Sequence, residues 1–345
     1  MQTELLPVSR ASIERAGELI RAGRLVGFPT ETVYGLGANA LDADAVRRIF
    51  EAKGRPGDNP LIAHISAPEQ LRPLISGEPS PAARRLMEAC WPGPMTLIFP
   101  KSGLVPDAVT AGLDTVAVRL PAHPAARALI DAAGVPIAAP SANRSGRPSP
   151  TTAQHVLEDM DGRIPLILDG GPCEVGLEST VIDMTGDIPK VLRPGGITPE
   201  RIARLCGSAG VDDAVMRPLR EGEVARSPGM KYRHYAPKGS LTIVEGEADA
   251  VAETIRRLYD EALSAGRQPL ILALEGHLAS YGGRRALSLG ADATGMAHAI
   301  FARLREADEL DAQVIFSEAV AADGVGLAVM NRLGRAAAFN IIEAE

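Results

Sequence analysis

The chain has 345 residues, of which 46% are hydrophobic and 23% are charged, and its formal net charge is −7. This length suits about two domains, and the composition is that of an ordinary globular protein. No window approaches the ~20 apolar residues that a membrane span needs. The net negative charge also means that the protein has no overall positive potential that would attract nucleic acid.

The cysteines and the N-terminal residues indicate the cellular compartment in which the protein is expected to work. Cys90, Cys173 and Cys206 are odd in number, widely spaced and without a CxxC pair. This pattern argues against a disulfide framework and fits a reducing environment. The opening "MQTELLPVSR" lacks a basic stretch followed by an apolar one, so we expect no secretory signal and a cytoplasmic protein.

Residues 1 to about 208 are predicted to form one α/β unit. The apolar spacing in "SIERAGELIRAG" predicts a helix that ends at Gly23, and "DADAVRRIFEAKG" predicts a second helix capped by Asp42 or Asp44. Strands are predicted at "RLVGFP", "PLIAHI", "MTLIFP", "TVAVRLP", "VPIAAP", "PLILDGG", "STVIDM" and "KVLRPG", and further helices near 80–90, 123–133, 152–160 and 199–206. Several strands follow one another without a helix between them, so we expect a twisted mixed sheet with flanking helices.

Residues 209–239 interrupt this pattern, and residues 240–345 resume it more simply. Strands at "LTIVEG", "PLILAL", "ALSLG" and "AQVIFSE" alternate with helices at 248–265, 292–307 and 325–337. Alternation of this kind predicts a smaller, Rossmann-like parallel domain.

The intervening segment, a predicted linker, has an unusual composition. From Arg217 to Lys238 it contains six basic and two acidic side chains, and "KYRHYAPK" holds two of the five tyrosines of the chain. A basic, aromatic segment is suited to closing over a flat anion, whereas a solvated linker with tyrosines packed at a domain interface is the alternative.

Familiar nucleotide and metal motifs are missing from the sequence. It contains no GxxxxGK[ST], HExxH, EF-hand or GxSxG pattern, and "GLGANA" is only a partial glycine pattern. Polar residues instead follow predicted strands, where α/β proteins place their sites.

Three cations stand out among these residues. Lys53 and Arg55 in "KGRPGDNPLIAHI" combine a point charge with a planar fork, which suits polyphosphate, although a helix C-terminus would also attract both. Arg119 lies inside the apolar strand "TVAVRLP" and therefore needs a partner, either a structural carboxylate or the carboxylate of a ligand.

Hydroxyl-rich turns are the other candidate parts of a binding site. Thr30, Thr32 and Tyr34 in "FPTETVYGLG" could hold a small polar ligand or only cap a turn. "APSANRSGRPSPT", "GLESTVID" and "VLRPGG" add hydroxyl, amide and guanidinium donors after strands. No nucleophile–base pair is evident, so the residues favour a site that positions and neutralises charge.

In this order, these motifs and "WPGPMTLIF" resemble those of the threonylcarbamoyl-AMP synthases, the YrdC-like family. "SPGMKYRHYAPK" and the C-terminal α/β domain resemble the long, two-domain form of that family. The resemblance implies a YrdC-like catalytic domain over 1–208, a linker that acts as a lid over 209–239, and a C-terminal domain over 240–345.

The resemblance also implies a reaction. L-threonine, bicarbonate (or CO2) and ATP would give threonylcarbamoyl-adenylate and diphosphate, with Mg2+ accompanying ATP and no protein ligand assigned to it. A partner transferase would then pass the threonylcarbamoyl group to an adenosine in tRNAs that read ANN codons. The enzyme would be a nucleotidyltransferase, with at most a weak contact to RNA.

Site residues follow from the motifs of the family. Lys53 and Arg55 would be catalytic. The residues implied for threonine are Thr32, His64, Arg119, Ala139 and Ser179. The residues implied for ATP are Lys53, Arg55, Asn59, Thr115, Ser141, Asn143, Ser149, Arg193 and Tyr235.

Two other classes of function remain open. An RNA-binding module is disfavoured by the charge of −7 and by the lack of basic–aromatic RNA motifs. A carbamoyl transferase for another acceptor is disfavoured because no acylphosphatase-like or zinc-finger segment accompanies the domain.

Overall fold

The structure is a computed structural model, and it describes residues 2–220, 222–223, 225–228 and 235–344. These residues fall into two compact units. The first comprises the described residues within Met1–Ser145, Ser149–Val215 and Leu219–Lys231, and the second those within Gly146–Pro148, Met216–Pro218 and Tyr232–Glu345.

The first unit is built on one large sheet. Its strands are β1 (Glu4–Pro7), β2 (Val26–Phe28), β3 (Gly35–Asn39), β4 (Ile62–His64), β5 (Met95–Pro100), β6 (Thr115–Arg119), β7 (Ile137–Ala139), β8 (Leu166–Asp169), β9 (Thr180–Asp183), β10 (Lys190–Arg193) and β11 (Gly210–Val211). Its helices are α1 (Arg10–Arg21), α2 (Ala43–Lys53), α3 (Pro81–Cys90), α4 (Asp107–Thr110), α5 (Pro124–Ala133), α6 (Ala153–Met160) and α7 (Pro199–Cys206).

The sheet is mixed, as predicted. Its strand order is β1-β8-β2-β3-β7-β4-β6-β5-β9-β10-β11. The pair β4–β6 is parallel, whereas β5–β6 and β4–β7 are antiparallel. Asp42 is the N-cap of α2, with its side chain accepting from two backbone N–H groups, and Gly54 closes that helix in the left-handed conformation at φ 63°.

Strand β3 was not predicted, because its sequence "GLGAN" has the glycines of a turn. In the structure these glycines allow close packing instead. A Cβ at Gly35 or Gly37 would meet the ring of Phe28 at 2.8 and 3.0 Å. The glycines therefore make room for Phe28 on the neighbouring strand β2, a tertiary contact that local propensity does not reveal.

The predicted linker requires one correction. Residues Gly210–Val211 form β11, which pairs in parallel with β10 at the edge of the sheet. A two-residue strand beside glycine and serine gives no periodic signal, so it was not recognised. Positions 221, 224 and 229–234 of the predicted linker lie outside the described residues.

The central strands separate an apolar core from a polar face. On β4, β6 and β5, Ala63, Val118 and Leu97 belong to the main core cluster. The residues beside them point to the opposite face, because successive side chains of a strand alternate. That face carries a small apolar cluster of Ile62, Ile98, Ala117, Val181 and Leu192.

The second unit contains a five-stranded, wholly parallel sheet, which confirms the Rossmann-like prediction. Its strands are β12 (Ser240–Glu245), β13 (Pro269–Ala273), β14 (Ala286–Ser288), β15 (Val314–Glu318) and β16 (Ile341–Glu343), in the order β14-β13-β15-β12-β16. Its helices are α8 (Ala248–Ser264), α9 (Ala293–Glu309) and α10 (Gly324–Ala336). Strand β16 was not predicted. No helix of the described chain is long and apolar enough to cross a membrane.

Candidate active site

The polar face of the central strands carries a row of side chains that lie level with one another. Registers across five neighbouring strand pairs align Ile137, His64, Arg119, Thr96, Val181 and Arg193. Residues directly opposite one another in a sheet share a face. The fold therefore brings His64, Arg119 and Arg193, which are far apart in sequence, onto one surface together with Thr96.

Arg119 is buried, and three of its five N–H donors have partners among the described residues. Nη2 donates to Glu31 Oε1 at 2.6 Å, Nη1 to Thr32 Oγ1 at 2.8 Å and Nε to the carbonyl of Gly93 at 3.3 Å. One N–H remains on each terminal nitrogen, and two such donors match the two oxygens of a carboxylate. Arg119 can therefore pair with a structural carboxylate and still bind the carboxylate of a ligand.

Glu31 is the structural carboxylate that Arg119 needs. It is 4% exposed. Burial acts to raise its pKa, but the charge and hydrogen bond of Arg119, together with the backbone N–H groups of Glu31 and Ala122, outweigh burial, so the pKa of Glu31 lies below its usual value. The pair is thus a carboxylate and a guanidinium, both charged at neutral pH.

His64 lies beside Arg119 in an environment that keeps it neutral. Burial, and then the charge of Arg119, lower the pKa of His64 to about 3. Its Nδ1 lies 3.1 Å from the carbonyl of Ile62 and 3.3 Å from that of Ile137, and its ring packs edge-on against Phe28. A neutral imidazole can donate to or accept from a ligand without competing with Arg119 for an anion.

Ser179 connects two parts of the row. Its Oγ lies 2.7 Å from Thr96 Oγ1 and accepts from Arg193 Nη2 at 3.1 Å. Arg193 also donates through Nε to the carbonyl of Ser179 at 3.1 Å and through Nη1 to that of Pro228 at 3.4 Å. The serine hydroxyl is therefore held in a fixed position between a hydroxyl and a cation.

Lys53 lies at the last position of α2 and contacts the loop after β7. Its Nζ donates to the carbonyls of Ser141 and Asn143, at 2.5 and 2.6 Å. Within that loop, Ser141 Oγ donates to Asn143 Oδ1 at 2.5 Å. Lys53 thus stabilises the loop that carries two of the residues implied for ATP.

The remaining implied residues lie on the strands of the sheet, in the segments that follow α2 and β7, or in the second unit. Asn59 is fully buried, and neither its amide nitrogen nor its oxygen has a hydrogen-bond partner within the described ranges. Thr115 opens β6 on the same face as Arg119. Arg55 follows α2, and Ala139 ends β7 opposite Ile62.

Ser149 and Tyr235 have well-defined surroundings. Ser149 Oγ donates to Glu178 Oε1 at 2.6 Å, and both residues are buried. Tyr235 belongs to the second unit, where its ring lies 5.0 Å from that of Phe301 and 5.8 Å from the guanidinium of Arg332. Its φ of 64° is left-handed, which is uncommon outside glycine.

Sequence reasoning missed three polar residues of this region: Glu31, Thr96 and Glu178. Glu31 and Glu178 stand inside quoted motifs, next to implied threonine-binding residues, so a search for the partner of Arg119 could have found Glu31. Thr96 carries no local signal, since its position beside Ser179 depends on the pairing of β5 with β9.

Within the part of the chain that the structure describes, no three His, Cys, Asp or Glu side chains lie close enough together to hold a metal ion. A Mg2+ ion that arrives bound to ATP phosphates needs few protein ligands, so these residues are compatible with it.

Two family models match the chain. A model of the Sua5, YciO and YrdC proteins, described as "Telomere recombination", matches residues 18–195, and "Threonylcarbamoyl-AMP synthase, C-terminal domain" matches residues 197–338.

Similar curated proteins span nearly the whole chain. A threonylcarbamoyl-AMP synthase of Pyrococcus abyssi is 49% identical over 96% of this chain and 95% of its own length. The Bacillus subtilis protein of that name is 47% identical over 99% and 97%, and the one from Schizosaccharomyces pombe is 39% identical over 95% and 89%.

A solved structure gives the same result. The crystal structure of Pyrococcus abyssi Sua5 complexed with L-threonine superposes with a TM-score of 0.94, at 47% identity, and covers 99% of this chain and 100% of that one. Fold and site thus define a nucleotidyl-transferring enzyme with a YrdC-like catalytic part. The chain belongs to the threonylcarbamoyl-AMP synthase family.

Proposed function

We propose that the chain joins L-threonine, bicarbonate (or CO2) and ATP into threonylcarbamoyl-adenylate and diphosphate. The observation that carries the proposal is Arg119, a buried guanidinium fixed at three N–H groups with one further donor on each terminal nitrogen. Such a fork suits the carboxylate of a small amino acid. The family membership supports threonine as that amino acid.

Threonine would be held on the polar face of the sheet. Arg119 binds its carboxylate, while Thr32, His64, Ser179 and the backbone of Ala139 surround the rest of the molecule. The hydroxyl network of Thr96 and Ser179 is suited to the substrate hydroxyl, since each group can both donate and accept.

ATP would be held by the loop after β7 and by the segment after α2. Ser141 and Asn143, braced by Lys53, approach the nucleotide together with Arg55, Thr115, Ser149 and Arg193. The buried amide of Asn59, which lacks a partner among the described residues, gains one from ATP. The family resemblance implies Tyr235 of the predicted linker for the nucleotide as well.

The chemistry requires alignment more than a strong base. The threonine ammonium and bicarbonate give a carbamate, water and a proton. A carbamate oxygen then forms a bond to the α-phosphorus of ATP, and the bond from that phosphorus to the bridging oxygen of diphosphate breaks. Lys53, Arg55 and Arg193 neutralise the charge that develops on attacking and leaving oxygens. A Mg2+ ion that accompanies ATP would supply further neutralisation of the phosphate charge.

The product would be passed to a threonylcarbamoyl transferase that modifies adenosine in tRNAs reading ANN codons. A cytoplasmic location and at most a weak direct contact with RNA are consistent with this role. The three cysteines are free thiols, which fits a reducing compartment.

The test is diphosphate release from ATP and bicarbonate with each of the twenty amino acids in turn. We expect release with threonine and little with the others. Omission of bicarbonate should abolish it. No release with any amino acid, together with a salt-sensitive affinity for RNA, would contradict the proposal in favour of an RNA-binding module.

A further inference from the structure

One oxygen of the Glu31 carboxylate has no hydrogen bond. Glu31 is 4% exposed, and its Oε1 accepts from Arg119. Its Oε2 has no hydrogen-bond partner among the residues that the structure describes. The backbone N–H groups of Glu31 and Ala122 lie near enough to the carboxylate to lower its pKa, but neither forms a hydrogen bond to Oε2. Buried carboxylate oxygens normally accept hydrogen bonds, so an oxygen without one suggests that a donor comes from a ligand.

The charges around Glu31 define the kind of ligand. Arg119 offers positive charge with two further N–H donors, and Glu31 offers negative charge directly beside it. His64 is neutral, and burial raises the pKa of Cys173 to about 12, so neither of these neighbours adds charge near neutral pH. A guanidinium and a carboxylate side by side are complementary to a molecule with a carboxylate and a cation close together.

An α-amino acid has this arrangement. Its ammonium group is attached to the carbon next to its carboxylate, so a carboxylate bound by Arg119 brings the ammonium close to Glu31. A carboxylic acid without the amine would make Glu31 share the single positive charge of Arg119 with a second carboxylate, and it would bring no cation of its own. The pair therefore favours a zwitterion over an anion.

We propose that Glu31 recognises the α-ammonium group of the amino-acid substrate and makes the site select amino acids over simple carboxylic acids. This inference rests on the proposed function, because it places the substrate carboxylate on Arg119. Glu31 is therefore a substrate-binding residue that determines specificity. After carbamate formation the nitrogen retains one N–H, which Glu31 continues to orient.

The experiment pairs a change in the protein with a change in the ligand. Dissociation constants of L-threonine and of (R)-3-hydroxybutanoate, which is threonine without its amine, are measured by calorimetry for the unaltered protein, Glu31→Gln and Glu318→Gln. The unaltered protein should prefer threonine, and Glu31→Gln should reduce this preference about tenfold or more, the effect of one charge-assisted hydrogen bond. Glu318→Gln removes a buried carboxylate of the second unit, where it accepts a hydrogen bond from Tyr281, and should leave the preference unchanged.

A purely structural role of Glu31 predicts a different result. If Glu31 only holds Arg119, Glu31→Gln weakens both ligands by the same factor, because both carry the carboxylate; that result would overturn the inference. If Glu31→Gln fails to fold, as judged by circular dichroism, Glu31→Asp is used instead. It keeps the negative charge but, being one methylene shorter, moves the carboxylate away from the ligand. Glu31→Asp should then show a smaller preference for threonine, and an unchanged preference would again contradict the proposal.

The inference and the proposed function fail separately. Threonine-dependent diphosphate release by the unaltered protein tests the function alone. Normal release together with an unchanged preference in Glu31→Gln would overturn the role of Glu31 and leave the function intact.

Discussion

The ammonium group of Lys53 donates a hydrogen bond to the backbone carbonyl of Asn143, 2.6 Å away. Ninety residues separate the two in sequence, and the contact joins the end of α2 to the loop after β7. Together with the bond to the carbonyl of Ser141, it gives Lys53 a structural task in addition to any contact with phosphate.

Lys53→Ala should therefore disturb the loop as well as remove a charge. We expect a large increase in the KM for ATP, a loss of threonine-dependent diphosphate release, and a lower melting temperature. Kinetics and thermal unfolding measure these effects. Lys190→Ala, which removes a half-exposed lysine paired with Asp212, is the control and should change neither. Normal ATP kinetics in Lys53→Ala would contradict the assignment of the loop to ATP.

Thr96→Val should weaken threonine binding through Ser179. The substitution keeps the shape of the side chain but removes the hydroxyl that lies 2.7 Å from Ser179 Oγ. One hydrogen bond contributes about 0.5–1.5 kcal/mol, so the KM for threonine should rise roughly two- to tenfold. Thr96→Ser restores the hydroxyl and should recover most of the loss. An equal defect in both variants would indicate a packing effect instead.

Gly195 allows a close approach of backbone segments at the start of β9. A Cβ there would lie 2.5 Å from the backbone nitrogen of Thr180 and 2.7 Å from the carbonyl carbon of Ser179. Gly195→Ala should lower the free energy of unfolding by about 1–3 kcal/mol, because backbone must move, and should displace Ser179. At Gly196 the nearest atom is a side-chain carbon of Pro94, 3.3 Å away, so Gly196→Ala should cost less. Denaturant unfolding of the two variants gives the comparison.

In mild acid, His64 should lower the stability of the fold, because it takes up a proton in the unfolded chain but not in the native state. The pKa of His64 falls from its ordinary 6.5 to about 3 in the folded protein, so below pH 6.5 the unfolded chain takes up a proton that the native state does not. The free energy of unfolding then decreases as the pH falls, by at most about 1.4 kcal/mol per unit for this group.

The measurement is the pH dependence of unfolding between pH 6.5 and 5, for the unaltered protein and His64→Asn. This window lies above the range in which Glu31, with its lowered pKa, loses its contribution. His64→Asn should show a shallower slope. The same slope in both proteins would mean that His64 is not held neutral.

Tyr235→Ala should weaken ATP binding more than threonine binding if the linker closes over the nucleotide. Calorimetry with each substrate measures the two affinities. Tyr235→Phe keeps the ring that packs on Phe301 and should retain most of the ATP affinity. Equal losses for ATP and threonine in Tyr235→Ala, with a lower melting temperature, would instead indicate destabilisation of the second unit.

The sequence predicted most elements of the fold, because their patterns are local. The helix that Asp42 caps and the alternation in β6 are readable from a few neighbouring residues. Strand β3 was missed because Gly35 and Gly37 are needed to make room for the ring of Phe28, and no local pattern reveals this contact.

The same distinction applies to the site. The need of Arg119 for a partner was evident from its position in an apolar strand, but the identity of that partner, Glu31, depends on the approach of the loop after β2 to β6. The roles of the individual residues in substrate binding remain predictions.

The level row of His64, Arg119 and Thr96 also bears on how substrate choice could change during evolution or by design. Each of these residues lies in the middle of the sheet, with core residues such as Val118 next to it along the strand. Substrate preference in many enzymes can be altered by exchanging surface loops, which tolerate insertions. The amino-acid pocket that we propose here has little such freedom, because a new side chain must also preserve strand pairing. A library that seeks a different amino-acid substrate should therefore vary these strand positions together, with compensating changes in the neighbouring core.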